Sequence, residues 1–305
     1  MKDQHQIYVG PAGWSYKDWE GIVYPAITSP GFDALGFLAR WFTVIEINSS
    51  FYRPPSIHTV RNWVERVKHQ PHFHFTYKLW QGYSHERSSF PTLKDEAMVK
   101  SGLDVLLSQQ RLGAVLIQFP WSFKNTPENF DWLQKVVHTF RDYNPVVEVR
   151  HGSWNTPILF DFLNEAGAGF ANIDQPVIGN SIGLTAIGAK RIGYLRLHGR
   201  NYKNWFANDA DAASRYDYLY NDEELQSIKE VIEQLIEQSP KSYIIFNNHF
   251  RGQAIANALQ IMFLMDGKPR EIPASLMETY PFLKKIAKGV SMEGSQTSLF
   301  DRDPG

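Results

Sequence analysis

The amino-acid sequence predicts an α/β protein, a TIM-type eight-stranded parallel β/α barrel. Eight short β-rich runs recur along the chain, and amphipathic helical stretches separate them. The length, 305 residues with 43% hydrophobic content, suits one barrel of this type, which takes about 250 residues. A doubly wound sheet with fewer true strands is the competing architecture, because alternation alone does not prove closure.

Strands are expected at residues 7–13, 44–50, 74–79, 114–119, 146–151, 169–174, 192–199 and 243–249. Helices are expected at 32–42, 57–69, 94–110, 127–143, 157–166, 222–237 and 253–265. Thr126-Pro127 and Thr156-Pro157 each set a capping hydroxyl before a first-turn proline. Residues 175–190 are glycine-rich and support at best a short helix. The long connections 81–93 and 200–221 follow strand C-termini, the barrel end that carries function. The barrel domain is assigned to residues 1–289 and a flexible, polar C-terminal tail to 290–305.

The net charge is −1, so no global polycation draws the chain to nucleic acid or membrane, although a local basic patch is compatible with it. Cysteine is absent, which excludes disulfides, thiolate metal sites and a cysteine nucleophile. The first residues lack a signal-peptide core, and no apolar run approaches the roughly 20 residues of a membrane span. The expected location is cytoplasmic, with no membrane partner.

A strand buried on both faces should read as continuous Val, Ile and Leu. Here most strands turn polar on one alternation phase near their ends. Glu46 and Asn48 share a phase, as do Thr76 and Lys78, Glu148 and Arg150, Asn172 and Asp174, Arg196 and His198, and Asn247 and His249; Gln118 stands among apolar neighbours. In a barrel this phase would face the lumen and deliver polar groups to one rim.

Burying so many charges is costly unless each is paired or used. Glu46, Glu148, Asp174 and His198 are therefore the candidate catalytic residues, suited to acid–base work or, with His249, to holding a divalent metal. No metal-binding spacing such as HExxH fixes that choice, and the metal stays unassigned. Trp14, Asn48, Tyr52, Lys78, Gln118, Arg150, His151, Arg196, Arg200, Asn247 and His249 are the candidate ligand-binding residues. Their cations suit a phosphate or carboxylate, and their aromatics suit a sugar or base. The competing reading is a closed set of ion pairs, such as Glu46 with Arg196 and Glu148 with Arg150. No serine nucleophile elbow, Walker loop or GxGxxG occurs.

Several motifs resemble the YecE-like family. They are VGPAGWSYKDWEGIVYP at residues 9–25, IEINSSFY at 45–52, QFP at 118–120, EVRHGSW at 148–154, YLRLHGR at 194–200 and FNNH at 246–249. The likeness spans about residues 7–264. It implies a β/α barrel similar in architecture to sugar isomerases and the apurinic endonuclease barrel, without fixing a reaction. The metal ligands of those enzymes do not transfer residue by residue.

The tail contains Gln296-Thr297-Ser298-Leu299-Phe300, which resembles the bacterial sliding-clamp-binding pentapeptide. Gln296, Ser298, Leu299 and Phe300 would carry that contact as a short peptide laid in a partner groove. Packing of Leu299 and Phe300 back onto the barrel is the alternative. The combined expectation is a barrel that binds a phosphate-bearing small molecule or nucleic acid and is recruited to DNA repair or replication through the clamp. The alternatives are a non-catalytic nucleic-acid or protein-binding module and a sugar-phosphate isomerase or epimerase.

Overall fold

Eight parallel strands form one sheet in the order β1-β8-β7-β6-β5-β4-β3-β2. They are β1 (Gln6–Pro11), β2 (Val44–Ile47), β3 (His74–Lys78), β4 (Leu112–Gln118), β5 (Pro145–Glu148), β6 (Gly169–Asp174), β7 (Gly193–Leu197) and β8 (Lys241–Phe246). The computed structural model describes residues 5–26, 31–203 and 214–289. The sheet's two ends meet where Ala12 bridges Glu46 and the Gly13 N–H donates to the Glu46 carbonyl at 2.9 Å. Gly10 permits this approach, because a Cβ there would lie 1.8 Å from the Val44 carbonyl oxygen. The expected barrel is thus the observed fold.

The helices are α1 (Ala34–Leu38), α2 (Ile57–Arg66), α3 (Leu93–Ser108), α4 (Pro127–Thr139), α5 (Pro157–Glu165), α6 (Asp222–Gln238), α7 (Gln253–Asp266) and α8 (Ala274–Thr279). Thr126 and Thr156 cap α4 and α5 as expected, their hydroxyls accepting from the Asn129 and Leu159 amides. No helix joins β6 to β7. Instead an irregular segment is pinned by Asn172, whose Oδ1 accepts from the Ile187 amide at 2.8 Å and from the Thr185 hydroxyl at 2.6 Å. α8 was not expected. It packs on the loop after β1, where the Ser275 hydroxyl donates to the Ile22 carbonyl at 2.8 Å.

Two apolar layers hold the barrel. The larger lies between the outer strand faces and the helices, with Leu195, Leu197, Ile228 and Leu259 among its buried members. The smaller fills the lumen with Tyr8, Val44, Ala114, Leu116, Val146, Tyr194, Tyr243 and Ile245. Each buried Leu, Ile or Val contributes about 1.5–3 kcal/mol over leaving it in water. The lumen is thus a packed floor, and polar chemistry is confined to its mouths.

Strands β2 and β5 stop earlier than expected. The residues after them leave the ladder for short 3₁₀ turns, Ser49–Phe51 and Gly152–Trp154, which form the rim. Among the described residues no helix is long and apolar enough to cross a membrane. The tail, with Gln296, Ser298, Leu299 and Phe300, lies outside the described residues.

Candidate functional site at the C-terminal mouth of the barrel

Strand register decides which polar residues enter the lumen. Glu46 pairs with Thr76, Lys78 with Leu116, and Leu116 with Val146; Gln118 pairs with Glu148. Leu116 and Val146 belong to the luminal core, so all these side chains point inward. Arg196 follows Tyr194 on the same phase of β7.

Strand β6 corrects the expectation. Ala171 pairs with luminal Tyr194, whereas Asn172 and Asp174 pair with Leu195 and Leu197, which face the helices. Asn172 and Asp174 therefore face outward. Asp174 accepts from Arg200 at 2.9–3.0 Å and from the Tyr220 hydroxyl at 2.5 Å. Arg200 also reaches Glu224 at 3.2 Å. This network ties the loop after β7 to α6. Asn172 of β6 serves the irregular segment that stands where a covering helix would have been apolar, and Asp174 serves the loop after β7.

Inside the mouth, Arg196 is clamped between two carboxylates. Its Nη2 and Nε donate to Glu46 at 2.6 and 3.1 Å, and its Nη1 donates to Glu148 at 2.6 Å. Glu46 also accepts from the Tyr194 hydroxyl at 3.0 Å. Glu148 accepts two bonds from Arg150, at 2.9 and 3.0 Å. Arg196 is 1% exposed and both glutamates are fully buried. Burial alone would raise the Glu148 carboxyl pKa, but Arg196 and Arg150 outweigh it and hold the group far below the carboxylate range. The Arg196 guanidinium is held charged by the same pairing with Glu148 and Glu46, against burial.

His198 is fully buried above the clamp, its Nε2 3.3 Å from Arg196 Nη1 and its Nδ1 2.9 Å from the Asn247 amide nitrogen. Burial, then the Arg196 charge, push its pKa well below the ordinary imidazole value, so it is neutral at pH 7. A neutral ring has one acceptor nitrogen, so it accepts either from Arg196 through Nε2 or from Asn247 through Nδ1.

Lys78 differs from the other cations. No ion pair or side-chain hydrogen bond engages its ammonium among the described residues; its Nζ lies 4.2 Å from the centre of the Phe51 ring. Burial, then the Arg196 charge, lower its pKa from 10.5 to about 7. Lys78 lines a cavity of about 530 Å³ together with Tyr16, Asn48, Ser49, Tyr52, Gln118, Arg196, Arg215, Tyr216, Asn247 and His249. A side recess of about 360 Å³ opens beside it, between Trp14, Tyr16, Asn48 and Trp63.

Two further polar atoms at this cavity lack hydrogen-bond partners among the described residues: buried Asn48 Oδ1 and His249 Nδ1. The His249 ring stacks on Tyr16 with centroids 4.4 Å apart, and burial lowers its pKa to about 4, leaving it neutral. Buried polar atoms normally find partners, so Asn48 Oδ1 and His249 Nδ1 are the two such atoms, of eleven among the described residues, that a ligand in this cavity could engage.

Of the expected ligand-binding residues, Asn48, Tyr52, Lys78, Gln118, Arg196, Asn247 and His249 line the main cavity, and Trp14 lines the side recess. Arg150 approaches through Glu148. His151 instead caps the turn after β5, its Nδ1 2.8 Å from the Ser153 hydroxyl, and Arg200 belongs to the outer network. Among the described residues no three His, Asp or Glu side chains are placed to hold a metal ion. Tyr16, Ser49, Tyr194, Arg215 and Tyr216 were not among the expected site residues. Tyr194 was readable, since it shares the phase of Arg196 and His198; Arg215 and Tyr216 come from the long loop, where no periodicity marks direction.

These features define a β/α barrel with a charge clamp beneath a polar cavity at its strand C-termini. The family described as Protein of unknown function DUF72 matches residues 8–280, and the chain belongs to that family. UPF0759 protein YunF of Bacillus subtilis is 31% identical over 274 residues, covering 85% of this chain and 95% of that protein. The crystal structure of a DUF72 family protein from Thermotoga maritima is similar at 32% identity and a TM-score of 0.75, covering 86% of this chain and all of that one. One from Enterococcus faecalis is similar at 25% identity and a TM-score of 0.75, covering 88% of this chain and all of that one.

Proposed function

We propose that the barrel is an enzyme that binds a small phosphate-bearing sugar or nucleotide at the C-terminal mouth and exchanges a proton with it. One observation carries this reading. Lys78 Nζ, Asn48 Oδ1 and His249 Nδ1, three polar groups with no hydrogen-bond or ion-pair partner among the described residues, belong to residues lining one cavity of about 530 Å³. That size falls in the range of small-molecule sites. Tyr16, Tyr52 and Tyr216 offer ring faces to a sugar or base, and Gln118 and Asn247 offer amides to hydroxyl groups.

The clamp sets the division of labour. Glu148 is held ionised by Arg196 and Arg150, so it shapes the field and does not carry a proton. Arg215 at the rim supplies a guanidinium for a phosphate. Lys78, with a pKa of about 7, is divided between amine and ammonium at neutral pH, which suits a general base.

Calorimetry with ribose 5-phosphate, and with ribose as control, tests the binding. The wild type should bind the phosphate ester only, and Lys78→Met or Arg215→Met should weaken it by about ten-fold or more, near 1.4 kcal/mol. Unchanged affinity in both variants contradicts the reading. Incubation of ribulose 5-phosphate in D₂O tests the chemistry. Deuterium should enter at carbon beside the carbonyl with the wild type and not with Lys78→Met.

The pentapeptide Gln296–Phe300 supports a second element, docking on the replication sliding clamp, which would place this activity in DNA repair or replication. Co-precipitation of purified clamp with the full chain, lost in Phe300→Ala, is the expected result. Equal capture by both chains, or by neither, removes the clamp from the account.

A further inference from the structure

The opposite mouth of the barrel is a different chemical environment. A recess of about 610 Å³ opens there, and its charged or ionisable lining includes Lys68, His72, His74, Arg111 and Lys241. A smaller recess of about 270 Å³ shares Leu112 and Lys241 with it and adds Lys190 and Arg191. Among the described residues no acidic side chain lines either recess. The chain as a whole carries 31 Lys and Arg against 32 Asp and Glu, so five lysines and arginines without an acid among the lining is a marked local imbalance.

The fold produces this grouping. His74 opens β3, Arg111 immediately precedes β4, Lys190 and Arg191 precede β7, and Lys241 opens β8. Parallel strands begin at one end of a barrel, so cations distant in sequence gather around one opening. Arg111 Nη1 is engaged by the carbonyls of Gln70, Pro71 and Phe73, and Lys68 pairs with Glu65. Lys190, Arg191 and Lys241 are exposed and form no ion pair among the described residues.

The floor of the larger recess is aromatic. Tyr8 stacks on His74 at 4.4 Å and on Tyr243 at 4.9 Å, and His74 Nδ1 lies 2.7 Å from the Tyr243 hydroxyl. The His74 ring reports the local field. Burial first, then Lys241, Arg111 and His72, lower its pKa to about 4. A nearby anion would reverse the charge contribution.

We infer that the N-terminal mouth is a second anion site, shaped for a compact ligand that carries several linked phosphates. A single phosphate would leave most of these cations unmatched. A recess of this volume admits a chain of phosphates, and the ring faces of its floor suit a base attached to one. The inference is independent of the function proposed for the other mouth.

Calorimetry of the full chain with inorganic tripolyphosphate tests it, using a Lys190→Gln/Lys241→Gln double variant and Lys78→Met as the control for the opposite mouth. Wild type and Lys78→Met should bind equally, and the double variant should bind at least about ten-fold more weakly. In NMR titrations the His74 midpoint should rise by about one unit with ligand bound. Binding that survives the double variant, or that disappears with Lys78→Met, overturns the assignment. So does tighter binding of a single-stranded oligonucleotide or of anionic phospholipid vesicles than of tripolyphosphate, since either result makes the mouth a macromolecular surface. Adenosine triphosphate binding tighter than tripolyphosphate, with the same variant pattern, supports the site and assigns the aromatic floor to the base.

Discussion

The two mouths of this barrel hold their charges in opposite ways. At the C-terminal mouth, Arg196 is buried between Glu46 and Glu148, Arg150 lies on Glu148, and Lys78 is left over. At the N-terminal mouth, lysines and arginines stand in or near water with few acids to answer them. Buried charges must be matched by protein because water cannot do it, so an unmatched group there is informative. Exposed charges are solvated whether or not they have a purpose, so at the other mouth only their collective imbalance is informative.

Stability measurements can break this contrast. The largest effect should follow Arg196→Met, which leaves Glu46 and Glu148 as uncompensated buried carboxylates. Urea unfolding should show a loss of about 3–5 kcal/mol. A loss below about 1 kcal/mol would mean that water reaches the clamp and that it is not a buried site. Next is Asp174→Asn, which weakens the bonds from Arg200 and Tyr220. We expect about 1.5–3 kcal/mol, together with faster proteolysis of the loop after β7. Loss of ligand binding without loss of stability would instead return Asp174 to the functional site.

Lys78 gives a pH signature. Its pKa is lowered in the folded state, so between about 7 and 10.5 the unfolded chain holds a proton that the folded chain does not. Stability contributed by this group therefore rises with pH across that window, and its penalty is fully present below about pH 7. Unfolding at pH 7 and pH 9 should show the wild type gaining on Lys78→Met by about 1 kcal/mol or more. A constant difference would place Lys78 in water. The smallest effect belongs to Lys241→Gln, which should shift stability by no more than about 0.5 kcal/mol, because the side chain is exposed.

Much of this was legible before the structure. Eight apolar runs and the helices between them specified the barrel, and alternation within strands identified Glu46, Lys78, Glu148 and Arg196 as inward-facing. The ion-pair reading of Glu46 with Arg196 and of Glu148 with Arg150 is what the side chains do, and Lys78 lines the cavity above them. Strand β6 misled, because alternation shows that two faces differ without saying which is inside. Its polar face meets an irregular segment through Asn172 and the loop after β7 through Asp174, and both take hydrogen bonds where a helix would not. Arg215 and Tyr216 reach the cavity from a loop, and loop direction has no period to read. The basic N-terminal mouth was equally hidden, since its cations are scattered singly through the sequence and only strand parallelism collects them.

The central claim is that Lys78 is a partly buried amine held for an anionic ligand. The direct test is NMR titration of the Lys78 side chain in protein labelled at the lysine ε-carbon, with and without ribose 5-phosphate, assigned by Lys78→Met. The account predicts a midpoint of about 7 in the free protein and an upward shift of at least about one unit when the phosphate ester is bound. A midpoint near the ordinary 10.5, unmoved by the ligand, would contradict it.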